Sequence, residues 1–450
     1  MTARPRSGEA PDSCAAALVA RGLDPAELGA KRALFDVVFD AFGGVAEPPQ
    51  PPPHVWWVPG RLEVFGKHTD YAGGRTLVCA VPRGFAVAAG PRRDGRVQVI
   101  DARSGDCVTL QPSAAAGPLA EWGHYADVVV RRLARNFPGM AIGADLVFAS
   151  DLPRAAGMSS SSALMVGLAT ALVRVAEIEG RTEWRTNIHG TLDAAGYYAC
   201  IENGHTFGTL EGDAGVGTHG GSEDHAAILA AAPGQLSAFQ FVPMRQIGSV
   251  AMPDRWRFVL APSGITAEKT GTAREAYNRL ALGAQVLLEL WNAGEKRGQA
   301  ASLAASLEWG PADRLRDSMR RSPPAGWPAD ALEKRLEHFI REDARVPEAL
   351  DAFRAADAAR LTALSEQSQA DAETLLGNQI PETIALARSA RTLGAFAACS
   401  FGAGFGGSVW ALVDRAAADE LARRWHPGAF VAAPAPALTE LSRDAITARP

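Results

Sequence analysis

Apolar residues recur at helical spacing near the start of the chain. Leu34, Val37, Val38 and Phe42 follow a cap-like Asp24-Pro25, so residues 1–45 are expected to be helical. The proline-rich run 48–53 should act as a stiff, extended linker. Short Val- and Phe-rich stretches bounded by Gly, Pro and Arg-Asp-Gly turns then predict strands over 55–58, 62–65, 85–89 and 97–101. The stretch 122–137 has the pattern of an amphipathic helix and 144–149 that of a strand. A long apolar helix is expected from 160 to about 179. Residues 180–225 alternate helical pattern with Gly-rich loop, and 236–241 and 256–261 read as strands. From about 266 to 395 the pattern is mostly helical, and the last 50 residues return to strand, loop, strand and helix.

A chain of 450 residues exceeds one ordinary core, so two domains are expected. The division placed on the pattern is a helical extension over 1–47, a first domain over 48–245 and a second over 246–450. The net charge of -5 argues against nucleic acid as the main partner. The pairs Arg131-Arg132 and Arg423-Arg424 fit polar helix faces instead. Five scattered cysteines with no CxxC suggest neither a disulfide framework nor a zinc knuckle, which points to a reducing, cytoplasmic setting. The apolar piece 15–20 is too short for a secretory signal. The longest apolar helix candidate, from Ala163, meets Arg174 within twelve residues, so no membrane partner is expected.

Three Gly- and Ser-rich segments carry candidate chemistry. The first, 60–74, ends a strand in a loop that holds Arg61, Lys67, His68, Thr69, Asp70 and Tyr71 together. Its Gly60…Gly66-Lys67 spacing nearly mimics a P-loop. It fails because five residues separate the glycines and His68 stands where Ser or Thr would bind Mg. The second, 153–164, places Gly157 and Ser159, Ser160, Ser161 and Ser162 between a strand and an apolar helix. A helix N-terminus with free N–H groups suits a phosphate, and four serines exceed what a plain N-cap requires. The third, 401–408, contains GxGxxG at Gly402, Gly404 and Gly407. A strand rather than a helix follows, and position 427 is Pro, so a dinucleotide fingerprint and an oxidoreductase are poor readings. A tight turn for close backbone approach fits better.

Together and in this order, the three segments resemble the GHMP small-molecule kinases, galactokinase most closely. Arg61, His68, Thr69, Asp70, Tyr71, Gly73 and Gly74 match the sugar loop, 157–163 resembles the phosphate loop, and 402–407 resembles the glycine turn. Two weaker matches are the Trp122–Tyr125 pair and Ala276-Tyr277-Asn278. The resemblance implies an α+β chain of two domains, the first ribosomal-protein-S5-domain-2-like and the second ferredoxin-like. It implies a kinase that uses ATP and Mg2+ on a sugar hydroxyl, the anomeric one in galactokinase. Asp224 falls on the family's catalytic carboxylate and Arg61 is its electrostatic partner. Glu223 and Asp213 stay open as alternatives to Asp224. Ser161 is the expected Mg contact, with Gly157, Ser159, Ser160, Ser162 and Gly404 around ATP. Asp70 and Tyr277 should meet the sugar, beside Tyr71, Lys67 and His68, although His68 fits a purely structural role as well.

Besides Met158 for Leu and one extra Ser in the phosphate loop, Ser408 for Cys after the glycine turn, and the Glu223 and His225 flanks of Asp224, the chain departs from the family at two positions around the sugar loop. Lys67 stands where galactokinases carry Glu, and Glu63 where they commonly carry Asn. A Lys offers only donors, so one expectation is a substrate carboxylate, as in a uronic acid. The plainer one is that Glu63 and Lys67 pair with each other. A sugar sensor without catalysis is the reading from another functional class, and the survival of Arg61, 159–162 and Asp224 favours an enzyme. The cluster His205, His219, His225, Glu202, Glu211 and Asp213 matches no zinc template. Neither 1–45 nor 300–345 carries a functional signal, and no oligomeric state follows from the sequence.

Overall fold

Two helices, α1 (Glu9–Ala20) and α2 (Leu28–Val45), open the chain, and the turn between them is held by Asp24, whose carboxylate accepts the Ala26 N–H at 3.0 Å. The computed structural model describes residues 9–45, 52–112, 119, 122–153, 157–265, 271–296 and 298–441. Most of the expected proline linker lies outside them. The first domain continues with β1 (His54–Phe65), β2 (Arg75–Pro91), β3 (Val97–Asp101), β4 (Cys107–Leu110), α3 (Gly123–Asn136), β5 (Ala144–Ser150), α4 (Ser160–Val175), α5 (Thr182–Asn187), α6 (Thr191–Asn203), α7 (Glu223–Ala230), β6 (Gln235–Gln240) and β7 (Arg245–Ala251). The expected pieces 55–58 and 62–65 are one strand, β1, bulged between Pro59 and Arg61 and between Glu63 and Phe65.

The second domain holds β8 (Trp256–Pro262), α8 (Gly271–Ala293), α9 (Leu303–Trp309), α10 (Asp313–Arg321), α11 (Ala329–Arg354), α12 (Ala358–Asp371), α13 (Pro381–Thr392), β9 (Ala397–Phe401), β10 (Ser408–Asp414), α14 (Ala418–Trp425) and β11 (Phe430–Ala432). The last strand is β12 (Thr439–Leu441). Its sheet runs β11-β8-β10-β9, all antiparallel. The larger sheet runs β12-β1-β2-β5-β3-β4, with β6 beside the first part of β2 and β7 beyond it.

Both faces of the larger sheet are covered, which explains why β1 is buried along almost its whole length. Trp56 and Val58 pack with α3, α4 and α6, whereas Val55 and Trp57 on the opposite face pack against Leu18, Leu34, Phe35 and Val38 of the first two helices. Lys31 of α2 is wholly buried there. Its ammonium lies over the Trp57 ring at 4.7 Å and pairs with Asp151.

Two strand pairings cross the domain division expected from the sequence. β7 pairs with β6, so the first sheet extends to Ala251 instead of ending at 245. β12 then returns to pair with β1, so the end of the chain belongs to the first sheet.

Candidate active site

The loop between β1 and β2 is built around backbone constraints. Gly66 has φ +102°, and a Cβ there would press on the Arg75 carbonyl and Thr76 Cα, so glycine is required. Thr69 Oγ1 lies 2.8 Å from the Gly66 carbonyl and 2.7 Å from that of Arg75, closing the loop on itself. His68 spans to the second domain. Its Nε2 is 3.1 Å from the Ala403 carbonyl and must donate there, so Nδ1 accepts from the Tyr71 hydroxyl at 2.9 Å. Burial, with Arg335 close by, lowers the His68 pKa to about 3, so the ring is neutral at working pH. Both ring nitrogens are used within the protein, as in the structural role weighed for His68.

Helix α11 grips this loop from the second domain. Arg335 Nη2 donates to the His68 carbonyl at 2.6 Å and to the Tyr71 hydroxyl at 3.1 Å. Glu342 Oε1 accepts the Gly66 N–H at 3.0 Å and the Lys67 N–H at 3.4 Å. Asp343 accepts the Arg75 N–H at 2.7 Å and pairs with its guanidinium. Arg335, Glu342 and Asp343 share one helix face by the 3.6-residue period. These three residues went unread in the sequence. The available signal was charge recurring at i, i+7 and i+8 within a helix, a pattern that ordinary solvated helices share.

The carboxylate centre lies at the start of α7. Arg61 Nε donates to Asp224 Oδ1 at 2.8 Å, and Asp224 Oδ2 accepts from Ser162 Oγ at 3.1 Å. Glu223 Oε1 lies 3.2 Å from the same Arg61 Nε. Burial opposes the Arg61 charge, but Asp224, Glu223 and Glu63 outweigh it and raise its pKa. Of the acids considered for catalysis, the Asp224 side chain is 21% exposed and that of Glu223 6%. Asp213 accepts the Gly215 N–H at 3.0 Å and faces Arg132 at 3.5 Å, away from this centre. Asp70 joins the centre to the first loop, since its Oδ2 accepts the Glu223 N–H at 3.0 Å. A Cβ on Gly221 would overlap the Asp70 carboxylate, which explains the glycine.

The Ser-rich loop leads into α4. Ser159 sits at its N-cap with φ 60°, yet its side chain makes no capping bond, and its Oγ is buried without a partner. Ser160 and Ser161 are half-buried beside it. A helix N-terminus without a side-chain cap and an orphaned buried hydroxyl fit an anion better than a plain cap. Gly157 ties this loop to Arg61 and to the glycine turn. Its carbonyl accepts Arg61 Nη1 at 2.6 Å, and a Cβ on Gly402 would lie 2.7 Å from that same carbonyl. The glycine turn thus packs on the phosphate loop through Gly402 and Gly407. Gly404, expected near ATP, lies against Asn378.

Tyr277 reaches the same centre, with its ring 5.5 Å from that of His68 and its hydroxyl beside Gly220. Asn278 clamps the Gly-rich loop before α7, accepting the His219 N–H at 2.9 Å and donating to the Gly217 carbonyl at 3.0 Å. Trp122 packs edge-on against Phe148 at 5.2 Å. Among the described residues, no group of His, Cys, Asp and Glu is placed to hold a metal, and His225 instead faces Glu202 at 3.4 Å.

Lys67 contradicts both sequence expectations. Its side chain is 1% exposed, and its Nζ donates to Ser368 Oγ at 2.7 Å and Cys399 Sγ at 3.1 Å, with Glu342 at 3.9 Å. Position 67 points into the second domain because β1 bulges just before it and Glu342 supplies the countercharge. The ammonium is therefore not offered to a substrate carboxylate. Glu63 is not its bonded partner either: Glu63 Oε1 is buried without one, and burial pushes its pKa up to about 7.

A Ser loop at a helix start, an Arg–Asp pair and a glycine turn from a second domain define a GHMP-type small-molecule kinase. The descriptions "GHMP kinases N terminal domain" and "GHMP kinases C terminal" match residues 124–193 and 348–431, and "Galactokinase galactose-binding signature" matches 42–91. Galactokinase of Chloroflexus aurantiacus is 30% identical over 397 residues, covering 85% of this chain and 87% of that one. Galactokinase of Roseiflexus sp. is 28% identical over 378 residues, covering 82% and 86%. The fold matches the crystal structure of Lactococcus lactis galactokinase complexed with galactose, with a TM-score of 0.72 at 19% identity over 90% of this chain and 98% of that one. Methanococcus jannaschii mevalonate kinase shares it at a TM-score of 0.55 and 13% identity, covering 87% and 100%. The chain belongs to the galactokinase family and is a sugar kinase, a phosphotransferase with an alcohol group as acceptor. No helix among the described residues is long and apolar enough to cross a membrane.

Proposed function

We propose that the chain transfers the γ-phosphate of ATP, bound with Mg2+, to the anomeric hydroxyl of galactose or a close relative. The observation that carries this reading is the Arg61–Asp224–Ser162 contact, which puts the one more exposed carboxylate beside an uncapped helix N-terminus. Asp224 accepts the hydroxyl proton. Arg61 and Ser162 donate to its two oxygens and hold the carboxylate in place for that role. Arg61 orients this carboxylate and stabilises negative charge that develops next to it. Asp70, held by the Glu223 N–H, supplies acceptors for sugar hydroxyls, and Tyr277 closes that side. The N-terminus of α4, with Ser159 to Ser161, would hold the phosphates and the metal, which supplies charge neutralisation at the transferring group.

The uronate reading loses its basis because the Lys67 charge is used inside the protein. A non-catalytic sensor has no observation in its favour, since the base, its arginine and the serine are joined. Phosphorus NMR of the product tests the proposal. A phosphate coupled to the anomeric proton of galactose supports it, and a phosphate on any other carbon refutes the assigned position.

A further inference from the structure

Helix α11 belongs to the second domain, yet it contacts the loop that carries His68 and Asp70 at both ends and in the middle. Glu342 is the centre of that grip. It is fully buried, and its carboxylate accepts the Gly66 and Lys67 N–H groups, Ser368 Oγ at 2.9 Å and Arg345 Nη1 at 2.7 Å. Ser368 relays between charges, since its hydroxyl accepts from Lys67 Nζ and donates to Glu342. Arg345 passes the network on to Asp371, which Arg341 also reaches at 3.1 Å. Every charge in this interior set has an opposite neighbour, which is the condition for a buried ionic network to be tolerated. Burial works against the ionised Glu342, but Lys67 and Arg345 outweigh it and bring its pKa down to about 2.

We infer that Glu342 is a positioning residue for sugar binding. From the second domain it fixes the backbone of Gly66 and Lys67, and through that backbone the places of His68 and Asp70. The side chain at 67 then serves the clamp and not the substrate. The backbone bonds are charge-assisted and so stronger than neutral ones, and they land on the loop's strained residue, Gly66 at φ +102°. A carboxylate needed only for packing or solubility would have no reason to accept two consecutive backbone N–H groups of a loop some 275 positions away.

The inference rests on the galactokinase reading, so its test keeps the two apart. Glu342→Gln is compared with the full chain, and Lys67→Met/Glu342→Gln is the companion variant, because it removes the buried Lys67–Glu342 charge pair together and leaves neither ion without its countercharge. The first readout needs no substrate. Backbone hydrogen exchange over 66–74 should quicken about ten-fold or more in the variants, with exchange in β9 and β10 unchanged. The second readout is kinetic: KM for galactose should rise about ten-fold, with kcat and KM for ATP within about two-fold. Wild-type exchange over 66–74 and a wild-type galactose KM in the double variant would overturn the inference. So would a fall in all kinetic parameters in step with the melting temperature. If the unaltered chain phosphorylates neither galactose nor a close relative, the proposed function fails, and the exchange result still decides the clamp.

Discussion

Arg61 and Asp224, 163 positions apart, meet at 2.8 Å in the wall of the site, while the second oxygen of Asp224 accepts from Ser162 at 3.1 Å. This contact joins the strand that starts the sugar loop, the first turn of α7 and the first turn of α4. A general base contributes roughly 10²–10⁴ in rate. Asp224→Asn should therefore lower kcat by at least about 10² while ATP binding, read by calorimetry, stays within about three-fold. Glu223→Gln should cost much less, because that carboxylate is buried behind the reacting face. The opposite ranking would move the base to Glu223.

Gly221 offers a test of the sugar side. A Cβ there overlaps the Asp70 carboxylate, so Gly221→Ala should push Asp70 off its Glu223 N–H bond. Steady-state kinetics should show KM for galactose up about ten-fold and KM for ATP little changed.

Lys67 tests the correction to the sequence reading. Removing one member of a buried charge pair costs about 3–5 kcal/mol, so Lys67→Ala should lower the midpoint of denaturant unfolding clearly. The ratio of kcat/KM for galactose over galacturonate should not move toward neutral sugars, because the ammonium does not face the substrate. A selective loss of uronate turnover would show that it does.

Glu63 gives the site a pH signature. Burial raises its pKa to about 7, above the ordinary value of 4.5. The folded chain thus binds more protons than the unfolded chain between those values, so this group makes stability fall as pH rises from about 4.5 through about 7. Relative to Glu63→Gln, the native chain should lose about two degrees or more in melting temperature between pH 5 and pH 8. Parallel melting curves for the two proteins would contradict this assignment.

How much of this was legible in the sequence depends on how each part is encoded. The sugar loop, the Ser loop and the glycine turn are contiguous, and each needs glycine or small polar residues for backbone reasons, so the chain displays them openly. Asp224 stands out in the sequence for the same reason, being set beside Gly220, Gly221 and a helix start. The α11 clamp was not legible, because Arg335, Glu342 and Asp343 reach a loop some 267 positions away and look like the solvated face of any charged helix. Lys67 was misread because its direction is set by a bulge in β1 and by a countercharge from another domain. The pairing of β7 and β12 with the first sheet was not legible, because the mostly exposed β7 and the three-residue β12 carry little hydrophobic signal of their own. Helices α1 and α2 looked idle for a related reason: the sheet face they cover becomes visible only when Val55 and Trp57 are seen to point away from Trp56 and Val58.

The most direct test is a coupled ADP-release assay with Mg-ATP on a panel of hexoses, pentoses and uronic acids, run on the native chain and on Asp224→Asn. The account predicts turnover with galactose or a close neutral relative, no preference for uronates, and loss of that turnover in the variant. Silence across the panel, or turnover that survives Asp224→Asn, would contradict it.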